Sequence, residues 1–454
     1  MFRPNVILIT VECWRGDHFG VLTPNLARLG GESAVFSAAY TTGGWTLAAM
    51  TAMMSSAYPS MFGGLEPALA TPERQVLAEC LMRSGYWTAG FSTNPCCGST
   101  HGFHRGFGTF RDERRTPMPV PGEQPGEKRD FYRMAEIGMQ PRDVDTMCDA
   151  AHLTDLGLQW IEKRRPEQPF FLWLHYWDPH WPCFSRERPM DRQQLQDAWH
   201  DRHVFVSEVI PRHGRYDPGE EMSSRWIGRY REAVSAADRE IGRLLDTLRL
   251  RPDWDRTVVA VTGDHGEEFY EHGTWHHAWN QLHKEGVHVP FIMRVPGAPP
   301  RTLDQPVSHL DIAPTLLDYA QARQDAAAGA MMGTSLRPLI EGGGLPHRPI
   351  YTESLSQPDG SSYRLAILDG EWKYIYDFDD PHDSQLFRLP DDPGERHNLR
   401  DSEPAIFRRF EMMRLEQVSR GLTGLMQRGS LGQKDFEMDE MMREQMVALG
   451  YIAG

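Results

Sequence analysis

The sequence predicts an α/β fold: a doubly wound, mostly parallel sheet flanked by helices, followed by a smaller C-terminal antiparallel α+β subdomain. Strand-like and helical stretches alternate from the N-terminus to about residue 320, the pattern of a doubly wound sheet. The strand-like runs are short, rich in β-branched residues and ended by polar residues, as buried parallel strands are. From Pro349 onward, short strands are joined by Asp-Gly and Asp-Pro turns, which favours antiparallel pairing.

The apolar runs define the strands of the main sheet. The runs at 6–11 and 258–262 are apolar at almost every position, which is typical of strands that are buried on both faces. The predicted strands are 5–11, 87–92, 169–176, 257–262 and 289–295.

Helical periodicity fills most of the intervals between these strands. The start of the last helix is well marked, because Asp311 and Pro314 stand in its first turn. The predicted helices are 24–30, 46–57, 72–84, 146–164, 225–250 and 311–321. Two segments, 111–145 and 184–224, lack periodicity and are rich in charge, proline and arginine. We expect them to cross the carboxyl edge of the sheet, where lids and specificity loops lie.

The C-terminal part has a different organisation. Short strands are predicted at 364–368, 372–376 and 385–389, with a helix at 404–419. The predicted domains are therefore a main α/β domain over 1–345, the α+β subdomain over 346–420 and a tail over 421–454. The tail is amphipathic and rich in Met and Glu, which suggests that it packs on a second subunit of a homo-oligomer.

Composition narrows the class of protein. The chain has 454 residues, of which 24% are charged and 40% hydrophobic, as in ordinary globular proteins. The formal net charge of −15 argues against nucleic acid and anionic membranes as partners. No apolar run approaches the length of a membrane span, and Met1 leaves no room for a signal peptide before the first strand. Six cysteines without metal-type spacing favour reduced thiols, so we expect a cytoplasmic protein.

Two predicted strands end in residues that can bind a metal ion. Glu12 follows the first strand, and Asp264 and His265 follow the strand at 257–262. Ligands of open α/β sheets bind outside the carboxyl ends of the strands, where we expect these side chains to converge. Two carboxylates and one imidazole suit one divalent ion, with zinc or manganese favoured and calcium or magnesium as alternatives.

Thr46 is the candidate nucleophile. It lies in GGWTLAAM at 43–50, at the start of a predicted helix whose free N–H groups and dipole favour an anion. A bound cation lowers the pKa of a hydroxyl that is otherwise a weak nucleophile. The sequence therefore predicts a metal ion ligated by Glu12, Thr46, Asp264 and His265, and attack by Thr46 on a phosphorus or sulfur ester. Alternatively, Thr46 is only a helix N-cap, a position that threonine fills well.

Motifs over nearly the whole chain resemble the sulfatase branch of the alkaline phosphatase superfamily. They occur in the family's order: RGDH at 15–18, TPNLARL at 23–29, GDHGEE at 263–268, EHG at 271–273, VPFI at 289–292, DIAPTLL at 311–317, DGEWKY at 369–374 and DPGE at 392–395. The resemblance implies the fold predicted above, with a catalytic centre in the main domain.

The chain departs from this family at the nucleophile. Sulfatases carry a cysteine, matured to formylglycine, within Cys-x-Pro-Ser-Arg, and here residues 46–50 read TLAAM. The family's Lys-x-His sulfate-binding motif is also missing, since residues 94–99 read NPCCGS. The set of Glu12, Thr46, Asp264 and His265 instead resembles that of lipoteichoic acid synthases and phosphoethanolamine transferases, which use a metal-bound threonine. Those relatives are anchored in membranes, so their lipid substrates are not expected here.

Position within the family also implies roles for other polar residues. His180, in WDPHWP at 177–182, and His277 are expected to contact the transferred group or to protonate the leaving group, because histidine transfers protons near neutral pH. The expected substrate-binding residues are Asn94, His272 and Lys284. Alternatively, His272 or His276 binds a second metal ion.

These features predict a metal-dependent phosphodiester or phosphonate ester hydrolase, or a phosphotransferase, that forms a phospho-Thr46 intermediate with a small anionic ester. A sulfuric ester hydrolase is the alternative among enzymes. A binding protein that keeps the fold without catalysis is disfavoured, because a drifting site loses its ligands first. Several tryptophans flank the motifs and either form an aromatic wall for an aryl or quaternary ammonium group or, as we favour, pack in the core: Trp45, Trp177, Trp181, Trp275 and Trp279.

Overall fold

The computed structural model describes residues 3–58, 60, 69, 74–113, 131–140, 149–164, 167–181, 183, 189–277, 282–324, 331–355, 363–377 and 380–428. Most of the predicted segment 111–145, the tail from 429 onward and Trp279 lie outside the described residues.

Two sheets organise the described chain. The strands are β1 (Asn5–Val11), β2 (Ala34–Tyr40), β3 (Trp87–Ser92), β4 (Thr109–Asp112), β5 (Phe170–Tyr176), β6 (Thr257–Gly263), β7 (His288–Arg294), β8 (Arg301–Leu303), β9 (Val307–Ser308), β10 (Ile350–Leu355), β11 (Tyr363–Asp369), β12 (Trp372–Asp377) and β13 (Gln385–Arg388). The α-helices are α1 (Pro24–Gly30), α2 (Thr46–Ser55), α3 (Leu77–Arg83), α4 (Phe131–Glu136), α5 (Ala150–Glu162), α6 (Arg192–Val204), α7 (Glu220–Arg249), α8 (Lys284–Val287), α9 (Ile312–Tyr319), α10 (Arg337–Ile340) and α11 (Pro404–Arg428).

The predicted fold class is confirmed. The main sheet has the order β4-β3-β5-β1-β6-β7-β2-β8, with β9 paired to β2, and most of its pairs are parallel. β7 runs antiparallel to both of its neighbours, β6 and β2. The second sheet, β10-β11-β12-β13, is antiparallel throughout. The boundary at 345/346 between the two domains stays a prediction.

Several elements differ from the sequence prediction. β2 was missed because its alternating small residues, AVFSAAY, give no β-branched run. The helix expected over 72–84 begins only at Leu77. The segment 184–224 was expected to be irregular, but α6 lies within it. A capping box explains that helix: Asp191 accepts from the backbone of Gln194, whose side chain bonds back to Asp191.

The central strands β1, β5 and β6 are buried along their whole length, as their sequences predict. β1 pairs in parallel with both neighbours, and Val11 is level with Tyr176 and with Gly263. All three strands therefore end at one level, and the residues that follow them meet at the same edge of the sheet.

The C-terminal sheet is joined to the segment that precedes α2. The hydroxyl of Thr352 donates to the carbonyl of Thr41 at 2.7 Å, and the backbone N–H of Glu353 donates to the carbonyl of Thr42 at 2.9 Å. Ala52 of α2 also packs in one apolar cluster with Tyr351 and with residues of β11 and β12. The second sheet thus supports the turn that leads into α2.

No helix among the described residues is both long enough and apolar enough to cross a bilayer.

A buried ion pair within the C-terminal part tests how this part of the chain is stabilised. Lys373 Nζ donates to both carboxylate oxygens of Glu395 at 2.8 Å, and both side chains are almost inaccessible to solvent. Because Lys373→Met leaves a buried carboxylate without its cation, we expect the free energy of unfolding to fall by roughly 3–5 kcal/mol. Urea denaturation measures this loss.

Arg337→Met is the matched control, because it removes an exposed ion pair with Glu341. It should cost less than about 1 kcal/mol. Equal losses in the two variants would contradict a stabilising role for the buried pair.

Candidate active site

The register of the central strands brings the first predicted ligands together. The backbone N–H of Glu12 donates to the carbonyl of Tyr176 at 2.9 Å, and that of Asp264 donates to the carbonyl of Val11 at 3.0 Å. Each bond continues a strand pairing by one residue. Glu12 and Asp264 are thereby held side by side, just beyond the ends of β1 and β6.

Helix α2 delivers Thr46 to the same place. Trp45 has extended backbone angles and occupies the N-cap, so Thr46 is the first helical residue and its hydroxyl does not cap the helix. The alternative that Thr46 is only an N-cap is therefore wrong. Gly43 makes the tight entry feasible, because a Cβ there would lie 2.5 Å from the Cβ of Ala48 and 2.6 Å from the backbone nitrogen of Ala49.

The four predicted metal ligands form one buried group. The hydroxyl of Thr46 donates to Glu12 Oε1 and lies 3.2 Å from His265 Nε2. The same imidazole nitrogen is 3.4 Å from Asp264 Oδ2 and 3.8 Å from Glu12 Oε1. All four side chains are inaccessible to solvent.

His265 is held in the tautomer that a metal ligand needs. Its Nδ1 lies 2.8 Å from the carbonyl of Gly266, which can only accept, so Nδ1 carries the proton. Burial lowers the pKa of His265, which keeps the imidazole neutral. The Nε2 lone pair therefore faces Thr46 and Asp264, as in many metal-bound histidines.

Glu12 and Asp264 are two carboxylates in one dry site. Asp264 Oδ1 accepts from the backbone of Cys13 and of His265, whereas Oδ2 is buried without a hydrogen bond. Burial raises the pKa of Asp264, and the charge of Glu12 raises it further. Burial also acts to raise the pKa of Glu12, but the attraction of His175 and other histidines lowers it. A divalent cation would stabilise both carboxylates as anions and satisfy the orphaned oxygen, so these residues fit a metal ion.

His175 contacts Glu12 and is a residue of the candidate site that the sequence prediction missed. Its Nε2 lies 2.6 Å from Glu12 Oε2, and its Nδ1 lies 2.8 Å from the hydroxyl of Thr10. That hydroxyl accepts from Trp173 Nε1 at 3.0 Å. It can therefore donate to His175 Nδ1, which leaves Nε2–H to hold Glu12. The sequence of β5 is otherwise apolar and aromatic, and nothing in it indicates that its histidine contacts Glu12.

Asn94 reaches the same group from the end of β3. Its Nδ2 donates to Glu12 Oε1 at 3.0 Å, and its Oδ1 accepts from the backbone of Cys96 at 2.7 Å. These contacts fix the orientation of Glu12. Contact of Asn94 with substrate stays a prediction.

His180 and His277 lie beside the four ligands. The ring of His277 is 4.4 Å from that of His265 and 5.0 Å from that of His180, centroid to centroid. Burial lowers the pKa of His180 to about 4, and burial together with His276 lowers that of His277 well below its usual value. Both rings are thus neutral at pH 7.

Glu267 lies in the GDHGEE motif at 263–268, but it was not predicted as a site residue. Both of its carboxylate oxygens lie 3.2 Å from His277 Nδ1, and one lies 3.4 Å from His276 Nδ1. A carboxylate in this position orients an imidazole and fixes its tautomer. The signal that could have found it is its place two residues after a metal-ligand histidine.

Two predicted substrate-binding residues lie elsewhere. Lys284 Nζ donates to the carbonyl of Pro393 at 2.6 Å, and its backbone N–H donates to Glu395, so its charge serves the contact with the C-terminal subdomain. His272 pairs with Glu285 and stacks on His283. Within the described structure no hydrogen bond or ion pair joins either side chain to Glu12, Thr46, Asp264 or His265, and their contact with substrate stays a prediction.

Gly266 and the tryptophans near the motifs have packing roles. A Cβ on Gly266 would lie 1.8 Å from the carbonyl oxygen of Glu285, so this glycine admits a neighbouring backbone rather than a ligand. The described tryptophans are buried and pack in the apolar clusters, as we favoured from sequence: Trp45, Trp177, Trp181 and Trp275.

Comparison with known proteins identifies the family. Residues 4–322 match the family model described as Sulfatase, and residues 270–418 match N-sulphoglucosamine sulphohydrolase, C-terminal. The chain belongs to the sulfatase family. This agrees with the resemblance inferred from the motifs.

The relatives and solved structures that this chain resembles have varied activities. The chain is 26% identical over 447 residues to a choline-sulfatase of Rhizobium meliloti (strain 1021), covering 88% of this chain and 83% of that protein. Its fold is similar to that of a 2-O GAG sulfatase, with TM-score 0.70, 18% identity and 92% of each chain covered. It is also similar to phosphonate monoester hydrolase of Agrobacterium radiobacter, with TM-score 0.69, 19% identity, and 92% of this chain and 96% of that chain covered.

Metal content tests the predicted ligand set. Asp264→Asn removes one charged ligand while keeping the side-chain volume, so we expect the protein, equilibrated with Zn²⁺ or Mn²⁺ and then desalted, to hold one equivalent less than wild type. Affinity at this site should fall at least about tenfold. Elemental mass spectrometry measures the content.

Asp238→Asn is the control, because Asp238 is a buried carboxylate that instead caps α1 through the backbone of Asn25 and Leu26. Its metal content should equal that of wild type. Asparagine differs from Asp264 in charge and not in size, so its effect on metal content reports on a bound ion. Unchanged metal content and stability in Asp264→Asn would therefore contradict the site.

Proposed function

We propose that this protein hydrolyses or transfers a monoanionic phosphorus ester, a phosphodiester or phosphonate monoester, through a covalent intermediate on Thr46. The observation that carries the proposal is the contact of the Thr46 hydroxyl with Glu12 and His265 in a closed, buried group. A threonine cannot supply the aldehyde from which formylglycine chemistry starts, so a direct displacement by the hydroxyl takes its place.

The charge of the site favours a monoanionic ester over a dianionic one. Within the described part of the chain, neither Glu12 nor Asp264 has a lysine or arginine partner. Arg15, the nearby buried cation, is held by Asp17 and Glu271. With two carboxylates and neutral histidines, one bound divalent ion leaves little positive charge to stabilise a substrate with two negative charges.

Thr46 has the position of a nucleophile. Its hydroxyl proton points to Glu12, which leaves the oxygen lone pairs for the ester, and the N-terminal turn of α2 adds free N–H groups and a favourable dipole. A divalent ion held by Glu12, Asp264 and His265 would lower the pKa of this hydroxyl and neutralise the ester oxygens. In the first step Glu12 takes the hydroxyl proton, the bond from Thr46 Oγ to phosphorus forms, and the bond to the leaving oxygen breaks.

His277 is the proposed base for release of the intermediate. It is neutral and is held at Nδ1 by Glu267, which leaves Nε2 to take a proton from water. Water then attacks phosphorus, the bond to Thr46 breaks, and the Thr46 oxygen recovers its proton from Glu12. The protonated ring releases its proton to solvent, from which an alkoxide leaving group takes one. In a transferase, an acceptor hydroxyl takes the place of water.

A sulfate monoester is the second candidate substrate. It is also monoanionic, and the 26% identity to a choline-sulfatase over 88% of the chain supports it. The arginine and Lys-x-His motif of the sulfatase site are absent from the matching segments 46–50 and 94–99, which makes us favour phosphorus.

Substitution of Thr46 tests the covalent step. Thr46→Ala removes the nucleophile, and kcat/KM for aryl phosphodiesters and phosphonates should fall by roughly 10³-fold or more. Thr46→Ser should keep most of the activity, since it keeps the hydroxyl. Mass spectrometry of wild type quenched during turnover should find a phosphate-bearing adduct on the Thr46 peptide.

Thr51→Ala is the matched control, since Thr51 is a buried threonine of the same helix. It should leave turnover within about twofold. Full activity in Thr46→Ala, or sulfate esters as the best substrates with a sulfate adduct on Thr46, would overturn the phosphorus assignment.

Substitution of His277 separates the two chemical steps. With a 4-nitrophenyl ester the leaving group needs no acid, so His277→Gln should slow only release, by roughly 10²-fold, and the phospho-Thr46 adduct should accumulate after a burst of nitrophenolate. His288→Gln, at a half-buried ring bonded to the carbonyl of Ser37, is the control. Slow turnover without a burst would argue against this role.

A further inference from the structure

A second group of metal-binding side chains lies next to the candidate active site. We define the Glu268 cluster as Glu268, His272, His283 and Glu285. None of these side chains has a hydrogen bond or ion pair with Glu12, Thr46, Asp264 or His265 in the described structure. Glu267 faces His277, whereas the next residue, Glu268, faces His283.

His283 presents an unprotonated nitrogen to this cluster. Its Nε2 lies 2.9 Å from Gln385 Oε1 of β13, and an amide oxygen can only accept, so Nε2 carries the proton. Nδ1 is then a lone pair, buried and without a hydrogen bond. It lies 3.7 Å from Glu268 Oε1, so two acceptors face each other with no proton between them.

The carboxylate of Glu268 accepts no hydrogen bond from any of the described residues. Both of its oxygens are buried without a hydrogen bond, and the side chain is inaccessible to solvent. Leaving such a buried group without a hydrogen bond is unfavourable. Burial raises its pKa, and the nearby Glu285 raises it further. A cation between Glu268 and His283 would remove this cost.

The remaining members complete a set of donors. The rings of His272 and His283 are parallel within 5° and 3.6 Å apart, and His272 Nε2 lies 3.1 Å from Glu285 Oε2. One ligand atom from each of Glu268, His272 and His283 lies within 4.8 Å of the others. We propose that Glu268, His272 and His283 bind a second divalent metal ion, of the zinc type, at a site separate from the catalytic centre.

The chemistry of this site is that of a structural metal. Two imidazoles and one carboxylate, with Glu285 as a fourth donor, suit four-coordinate zinc. Gln385 holds His283 in its tautomer from the C-terminal sheet, as partners of metal-bound histidines do. The ion therefore ties the loop that follows Asp264 and His265 to β13.

Metal counting tests the proposal without reference to activity. Wild-type protein equilibrated with Zn²⁺ and then desalted should hold two ions per chain by elemental mass spectrometry. His283→Gln should lose one ion and keep turnover within about twofold, because His283 is outside the catalytic group. Gln385→Ala should weaken Zn²⁺ binding at this site by roughly 10–100-fold. Gln305→Ala, whose amide donates to Leu345, is the control and should leave binding unchanged.

The Asp264→Asn background separates this site from the catalytic one. Co²⁺ added to Asp264→Asn protein should give the absorption of a four-coordinate ion. Because this variant keeps His283, the result does not depend on whether the His283 variant folds. One ion lost in His283→Gln but not in Asp264→Asn would support this proposal and contradict the catalytic site instead. No ion in Asp264→Asn, or equal metal content in wild type and His283→Gln, would overturn it.

Discussion

Two carboxylates that lie side by side in a dry interior dominate this molecule. Glu12 and Asp264 follow adjacent parallel strands, and the pairing of β1 with β6 gives them no freedom to separate. Electrostatic repulsion between them is strong because solvent is excluded. Neighbouring groups offset this repulsion. His175 and Asn94 bind the carboxylate of Glu12, and two backbone N–H groups donate to the carboxylate of Asp264. The hydroxyl of Thr46 donates to Glu12 in the same group, and it does not cap α2.

Much of this arrangement was predictable from sequence. Apolar runs ended by Glu12 or by Asp264 and His265 identify central strands and the edge at which they meet, because buried parallel strands have one sequence pattern and ligands have one preferred edge. Order and spacing of the motifs identified the family. Asn94, His180 and His277 were predicted near the ligands by the same resemblance, and the structure places them there.

The remainder depends on contacts that no local pattern encodes. His175 lies in a strand that is buried on both faces, so its position carries no information about which way it points. Glu267 and Glu268 are adjacent acids with different partners, and only the fold separates them. The ammonium group of Lys284 donates to the carbonyl of Pro393, more than a hundred residues later in the chain, a contact that no local pattern indicates. β2 and α6 were missed because small residues and a polar capping box give weak periodicity.

The bonds from β10 to the carbonyls of Thr41 and Thr42 have an evolutionary consequence. Those carbonyls belong to the turn that precedes α2, so the C-terminal sheet helps to fix the position of Thr46 at the start of that helix. Such a unit cannot be exchanged between relatives as a free module, since a new edge strand would reset the angle at which the hydroxyl is offered. Changes in the two parts of the chain should therefore be inherited together.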